Sequence, residues 1–234
     1  HRPAENTLSV TVSESLLPVL PEVLARIKNL FDLYCEPKAV YETLQVMNTL
    51  QPGLCVLGTR LPGCFNVFEM SVRAVLGQQI TVKAASTLAA RLVAVYGTQV
   101  QTGIEGLTHS FPAPAAILAL GENISEHLGK LGIISARANT IYQLARVLAD
   151  EKNDFGFCGN PEEEMQKLQA IRGIGSWTAQ YIAMRAMGWP DAFLPTDAGI
   201  KKALPDHTPK ELQVLSEAWR PWRSYATVNL WNTL

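Results

Sequence analysis

Two stretches of this sequence hold residue types that could do chemistry together. In the segment 168–181, two apolar, helix-forming runs flank Gly173-Ile174-Gly175. Glycine at both positions opens backbone conformations barred to other residues and lets a ligand come close to the main chain. A helix follows at once, so its unpaired N–H groups and positive dipole end converge on the turn. That arrangement suits one phosphate diester. A plain αα-hairpin turn explains the glycines equally well.

The second stretch is Phe193-Leu194-Pro195-Thr196-Asp197. Asp197 precedes a helical pattern over Ala198–Leu204 and reads as its N-cap. A helix N-terminus also favours a carboxylate, so capping and chemistry do not exclude each other. Trp177 and Tyr181 are four apart and share a helix face, a spacing that on its own describes core residues.

The elements that must position these residues are mostly helices. Leu8–Val12 alternates apolar and polar and predicts one half-buried strand of a small sheet that begins before residue 1. Helical periodicity follows from Pro21, over Val40–Leu50, Phe65–Leu76 and Val82–Tyr96. Thr98–Pro114, with two glycines and two prolines, predicts a surface crossing. A helix over Ser135–Leu148 has Ser135 as its expected N-cap. Asp150–Asn160 predicts a loop, and an acid-led helix starts at Pro161. Helices over Ser176–Met187, from Ala198, and around Leu212 and Val228 complete the pattern. The expected class is all-α, with residues 1–20 a remnant of an N-terminal α/β domain and 21–234 a helical core.

Composition bounds the function. Among 234 residues, 47% are hydrophobic and 18% charged, enough for a sizeable core and too little charge for disorder. Twenty basic against 21 acidic residues give a net charge of −1, which excludes a polycation held on nucleic acid by bulk charge. Any such contact must be local or use backbone amides. The four cysteines, Cys35, Cys55, Cys64 and Cys158, include no C-x-x-C pair and read as reduced thiols of a cytoplasmic protein. No stretch reaches the roughly 18 apolar residues of a membrane helix. His109, His127 and His207 share no ligand spacing, so no metal site is expected from side chains.

Taken together, the segment 168–181 resembles the hairpin of the helix–hairpin–helix DNA glycosylases, and Phe193–Asp197 resembles their catalytic loop. The similarity extends to the 3-methyladenine DNA glycosylase II branch, some of whose members are fused to an alkyltransferase. It is carried further by Phe31-Asp32-Leu33, Leu61-Pro62-Gly63-Cys64, the segment 72–79 and the segment 219–226. The resemblance implies a two-lobed helical core with the helix–hairpin–helix over about 161–187, duplex DNA with alkylated bases as partner, a monomer, and no cofactor.

The same resemblance assigns roles. Asp197 matches the essential aspartate, which in the family follows the start of the second hairpin helix by the interval that separates it from Trp177 here. Relatives that also cut the strand carry a lysine nucleophile at the position of Trp177. Tryptophan cannot form that Schiff base, so hydrolysis without strand scission is expected. Trp177, Tyr181 and Trp231 would stack on a cationic base. Gly173, Ile174, Gly175, Ser176 and Thr178 would meet the DNA backbone. Gln79, with Gln78 beside it, would fill the gap left by the flipped nucleotide, a departure from the apolar wedge of the nearest subgroup. Ala198 also departs, standing where a bulkier aromatic can follow the aspartate. The carbonyls of Gln169, Ile171 and Ile174 match positions that can hold an alkali cation. Glycosylases for deaminated or oxidised bases, and a non-catalytic DNA-binding module, are the competing readings.

Overall fold

The computed structural model describes residues 5–149 and 160–234, so the expected loop before Asn160, Cys158 included, lies outside the described residues. Helix follows apolar periodicity where a start signal accompanies it. Helix α1 (Leu20–Leu30) has Pro21 in its first turn, where a missing N–H removes no intrahelical bond. Helix α2 (Pro37–Leu44) runs into a 3₁₀ turn at Gln45–Thr49, splitting the single pattern expected over Val40–Leu50. Asn66 caps α3 (Val67–Leu76) and Thr81 caps α4 (Val82–Tyr96). Then come α5 (Pro114–Leu118), α6 (Ile124–Gly129), α7 (Ser135–Leu148), α8 (Pro161–Gln169) and α9 (Ser176–Arg185). The C-terminal set is α10 (Ala198–Ala203), α11 (Pro209–Leu215) and α12 (Arg223–Trp231).

Three expectations need correction. Leu8–Val12 forms no strand; Leu8 and Val10 are exposed, and alternation cannot hold a strand without a neighbour to take its N–H and C=O groups. Among the described residues the one ladder is β1 (Thr98–Gln99) antiparallel to β2 (His109–Ser110), inside the segment expected to be a plain crossing. Ser135 is the first residue of α7 and not its cap; Ile134 occupies the cap position and makes no side-chain bond.

The helices form two groups. Helix α7, with Ala138, Ile141, Leu144 and Ala145 buried, is packed by α3, α5 and α6, while α3 also meets α4 and α9. In the second group α10 packs on α12, and the N-terminal segment grips α12 by polar contacts. Tyr225 Oη donates to Asp32 Oδ2 at 3.0 Å, and Asn229 Oδ1 accepts from Val56 N at 3.0 Å and Thr59 Oγ1 at 2.9 Å. Burial and the facing Asp32 carboxylate push the Tyr225 hydroxyl far above its ordinary range, so it stays a donor.

A buried ion pair fixes the approach to Asp197. Arg223 Nε donates to Asp191 Oδ1 at 2.7 Å and Nη2 to Oδ2 at 3.0 Å, with Arg220 on the same carboxylate. Ser224 Oγ donates to the Trp189 carbonyl at 2.7 Å, and Phe193 N donates to Gln180 Oε1 at 3.2 Å. The segment 189–197 is thereby bound to both α9 and α12. Among the described residues no helix is long and apolar enough to cross a membrane.

Candidate active site

The turn between α8 and α9 is built on two buried isoleucines, Ile171 and Ile174, which pin it into the core. Gly173 has φ +96°, and a Cβ there would stand 2.1 Å from Thr140 Oγ1. Thr140 uses that proximity to donate to the Arg172 carbonyl at 3.0 Å, fastening the turn to α7. Glycine is required at 173 twice over, by backbone conformation and by space. Gly175 takes the N-cap position of α9 and supplies no capping side chain. The first amides of α9, from Ser176 onward, therefore stand uncapped at the surface, as an anion site needs.

Two of the expected residues have polar groups engaged within the protein. The Ile174 N–H donates to the Ile171 carbonyl at 3.0 Å and is used within the turn. The Thr178 side chain is buried, and its Oγ1 accepts from Gln78 Nε2 at 2.9 Å. Position 178 falls on the inner face of α9, so its hydroxyl serves the loop and not a ligand. Gly173, Gly175 and Ser176 are exposed.

Asp197 is the N-cap of α10, its Oδ1 accepting from Gly199 N at 2.9 Å and Ile200 N at 3.1 Å. Both expected tryptophans reach the same carboxylate. Trp231 Nε1 donates to Oδ1 at 2.8 Å, and Trp177 Nε1 donates to Oδ2 at 3.0 Å. Oδ1 thus takes three N–H donors and Oδ2 takes one. Asp197 is 9% exposed, so the carboxylate has surrendered most of its water for these four bonds. A lone pair on Oδ2 stays open to a further partner.

The aromatic residues lie around this anion. Trp177 and Tyr181 stack in parallel, centroids 5.1 Å apart and planes 8° apart. Tyr181 meets Trp231 at 6.3 Å with a 50° tilt. All three are half-buried and pack against the core. Electron-rich faces beside a carboxylate make a site suited to a flat cation.

Gln78 and Gln79 differ sharply. Gln78 Nε2 donates to the Gly173 carbonyl at 2.9 Å as well as to Thr178, and the Gln78 carbonyl accepts from Arg137. Its amide is committed to holding the loop against the hairpin. Gln79 is exposed, with φ +54°, a left-handed conformation costly for a side-chain-bearing residue. Among the carbonyls considered for an alkali cation, that of Ile171 already accepts the Ile174 N–H, which leaves it one lone pair. Among the described residues no group of His, Cys, Asp and Glu could hold a metal ion.

Sequence reasoning missed Gly199. A Cβ there would stand 2.7 Å from Trp231 Cδ1 and 3.0 Å from Asp197 Oδ1, so the glycine makes room for the indole. It missed Asp191 and Gln180 as well, since a buried ion pair and a side-chain bond to a distant amide leave no periodic trace.

Comparison with known proteins bears on this geometry. Residues 72–223 match the family model described as "HhH-GPD superfamily base excision DNA repair protein", and residues 1–66 match "AlkA N-terminal domain". The chain is 38% identical over 230 residues to DNA-3-methyladenine glycosylase 2 of Escherichia coli, covering 98% of this chain and 78% of that protein. It is 40% identical over 216 residues to a "probable bifunctional transcriptional activator/DNA repair enzyme AlkA" of Mycobacterium tuberculosis, covering 90% of this chain and 42% of that one. The solved 3-methyladenine DNA-glycosylase of Archaeoglobus fulgidus shares the fold at 22% identity, with a TM-score of 0.73 over 96% of this chain and 77% of that chain.

Proposed function

Since the chain belongs to the HhH-GPD superfamily of base excision DNA repair proteins and is a DNA glycosylase, we propose that it hydrolyses the N-glycosidic bond of alkylated purines in duplex DNA. 3-Methyladenine is the leading substrate, the E. coli relative being named for it. The observation that carries the reading is the Asp197 carboxylate clamped between the indole N–H groups of Trp177 and Trp231. The protein acts as a monomer in this reading, and an adjoining alkyltransferase unit belongs to the same proposal.

Ordinary glycoside hydrolysis uses two carboxylates, one of which protonates the leaving group. A purine alkylated at N3 or N7 is already cationic and departs without that acid. As the C1′–N bond breaks, its electron pair goes to the base, which leaves neutral, and positive charge develops on the sugar. Asp197 Oδ2, with its free lone pair, is the oxygen placed to stabilise that charge or to accept a proton from the attacking water. Water adds to C1′, leaving an abasic site. Trp177 offers no amine, so the strand stays intact.

Recognition uses the same charge. A cationic base on the faces of Trp177, Tyr181 and Trp231 gains roughly 0.5–2 kcal/mol over a neutral one. The uncapped amides of α9 and exposed Gly173, Gly175 and Ser176 take a backbone phosphate of the flipped strand. Gln79, whose side chain is exposed where that of Gln78 is committed, fills the stack. The carbonyls of Gln169, Ile171 and Ile174 would hold a weakly bound alkali cation, which would add positive charge beside that phosphate.

The test is base release from methylated duplex DNA, with alkali used afterwards to reveal abasic sites. Asp197→Asn turns an NH₂ or a neutral oxygen toward the two indoles and should lower release by roughly 10²–10³ or more, while binding to abasic-site duplex persists. Release only of deaminated or oxidised bases would transfer the reading to those lesions. Binding without release would leave a DNA-binding module, and strand cleavage before alkali would refute the argument from Trp177.

A further inference from the structure

Several cations of this protein sit beside a carboxylate: Arg26 beside Glu22, Arg73 beside Glu69, Lys130 beside Glu126, and Arg223 beside Asp191. Lys83, Arg91 and Arg137 differ. They line one open cleft of about 530 Å³ between α4 and the start of α7, and no acidic side chain is among its lining residues. Lys83, Thr87 and Arg91 recur every four residues of α4 and so form one stripe along the wall. Arg91 donates to the Leu131 carbonyl at 3.1 Å and Arg137 to the Gln78 carbonyl, but a guanidinium has five donors, and each keeps others for a ligand. A Cβ at Gly132 would stand 3.3 Å from Arg91 Nη1, so that glycine leaves the guanidinium its room. In a chain of net charge −1, three cations around one concavity make a local field suited to an anion.

The position of the cleft indicates which anion. Gln78 joins the loop to the hairpin through its side chain and to the cleft through its carbonyl and Arg137. Exposed Gln79 therefore lies between two anion-binding surfaces, the α9 amides and this cleft. We propose that the cleft binds a second backbone phosphate of the duplex, separate from the one at the hairpin, with Lys83 and Arg91 as its charged contacts. Arg137 links that contact to the position of Gln79. The inference rests on reading the protein as a DNA glycosylase. It adds a site that supplies the salt-dependent part of affinity, which uncharged amides cannot.

The test measures binding to an abasic-site duplex over a salt series. Lys83→Gln with Arg91→Gln should reduce the slope of log K against log salt by about 1, the value for one phosphate, and weaken binding roughly 10–100-fold at physiological salt. Lys38→Gln with Lys210→Gln removes the same charge from exposed sites elsewhere and should leave the slope unchanged. Lys83→Arg with Arg91→Lys keeps the charge and should restore the slope, which separates a lost contact from a damaged fold. Methylphosphonates walked along each strand should reveal one position that weakens the wild type but not the Gln variant, and its strand identifies the phosphate. Equal slopes for the two Gln pairs, or no such position, would overturn the cleft while leaving the glycosylase reading intact. A wild type that releases base yet binds with no salt dependence would do the same, and a wild type that neither binds nor releases would refute both.

Discussion

Gly199→Ala adds one methyl group at the second residue of α10, two residues after Asp197, and should disable the site by displacing Trp231. The new Cβ would stand 2.7 Å from Trp231 Cδ1 and 2.9 Å from Nε1. Carbon atoms settle near 3.5–4.0 Å, so the indole must retreat by about 1 Å. The Trp231–Asp197 bond, 2.8 Å at present, is then no longer a hydrogen bond. A hydrogen bond to a charged group is worth roughly 1.5–3 kcal/mol, which predicts a loss of about 10–100-fold in the rate of base release. The assay is single-turnover release from methylated duplex, read beside a thermal melt. Helix propensity favours alanine by about 1 kcal/mol and the displaced indole opposes it, so the melt reads any change of stability apart from the fall in rate. Trp231→Phe removes the N–H and shrinks the ring; in that background Gly199→Ala should cost almost nothing further. Wild-type activity in Gly199→Ala, or additive losses in the double variant, would refute the reasoning.

Gln79→Gly relieves the left-handed backbone and deletes the side chain, so stability should hold or rise while nucleotide flipping, followed by a fluorescent base analogue at the lesion, weakens; Gln78→Ala should instead lower the melting temperature by detaching the loop from the hairpin. Arg223→Met leaves Asp191 buried without its main partner and should cost about 3–5 kcal/mol, seen as a lower urea midpoint. Burial pushes the Cys55 thiol above its usual range, so near pH 8 it holds less thiolate than in the unfolded chain. Alkylation followed by mass spectrometry should find it slow in the native protein and fast in urea, and equal rates would contradict its placement.

The helices were legible because α4 and α7 have apolar stripes, and α4 is closed by a glycine. The strand at Leu8–Val12 was misread because alternation reports which side chains could be buried, not whether a partner lies alongside. At the site, the Trp177–Tyr181 pairing was visible as a spacing of four, and the cap at Asp197 was visible from the helix after it. The convergence of Trp231 on Asp197 was not, since it crosses 34 residues and depends on a missing side chain at Gly199. The inward turn of the Thr178 side chain was not visible, because hairpin position alone does not tell which face of α9 is inward. Arg137 left no signal, its role being to hold a carbonyl 59 residues away.

Placing the proposed reactive carboxylate at a helix cap has a physical consequence for the whole molecule. A carboxylate that is 9% exposed would ordinarily be costly to bury, and its removal would stabilise the fold. Here two main-chain amides of α10 and two indoles need an acceptor at that spot. Removing it would orphan four donors, so stability and chemistry ask for the same residue. The cap also fixes the direction of the anion: Oδ1 is saturated by the helix and Trp231, and Oδ2 is left as the face that can meet a ligand. Because α12, which brings Trp231, is gripped by Asp32, Val56 and Thr59, the aim of that oxygen depends on the N-terminal segment as well. The region matched by the N-terminal family model thus acts on the site through α12.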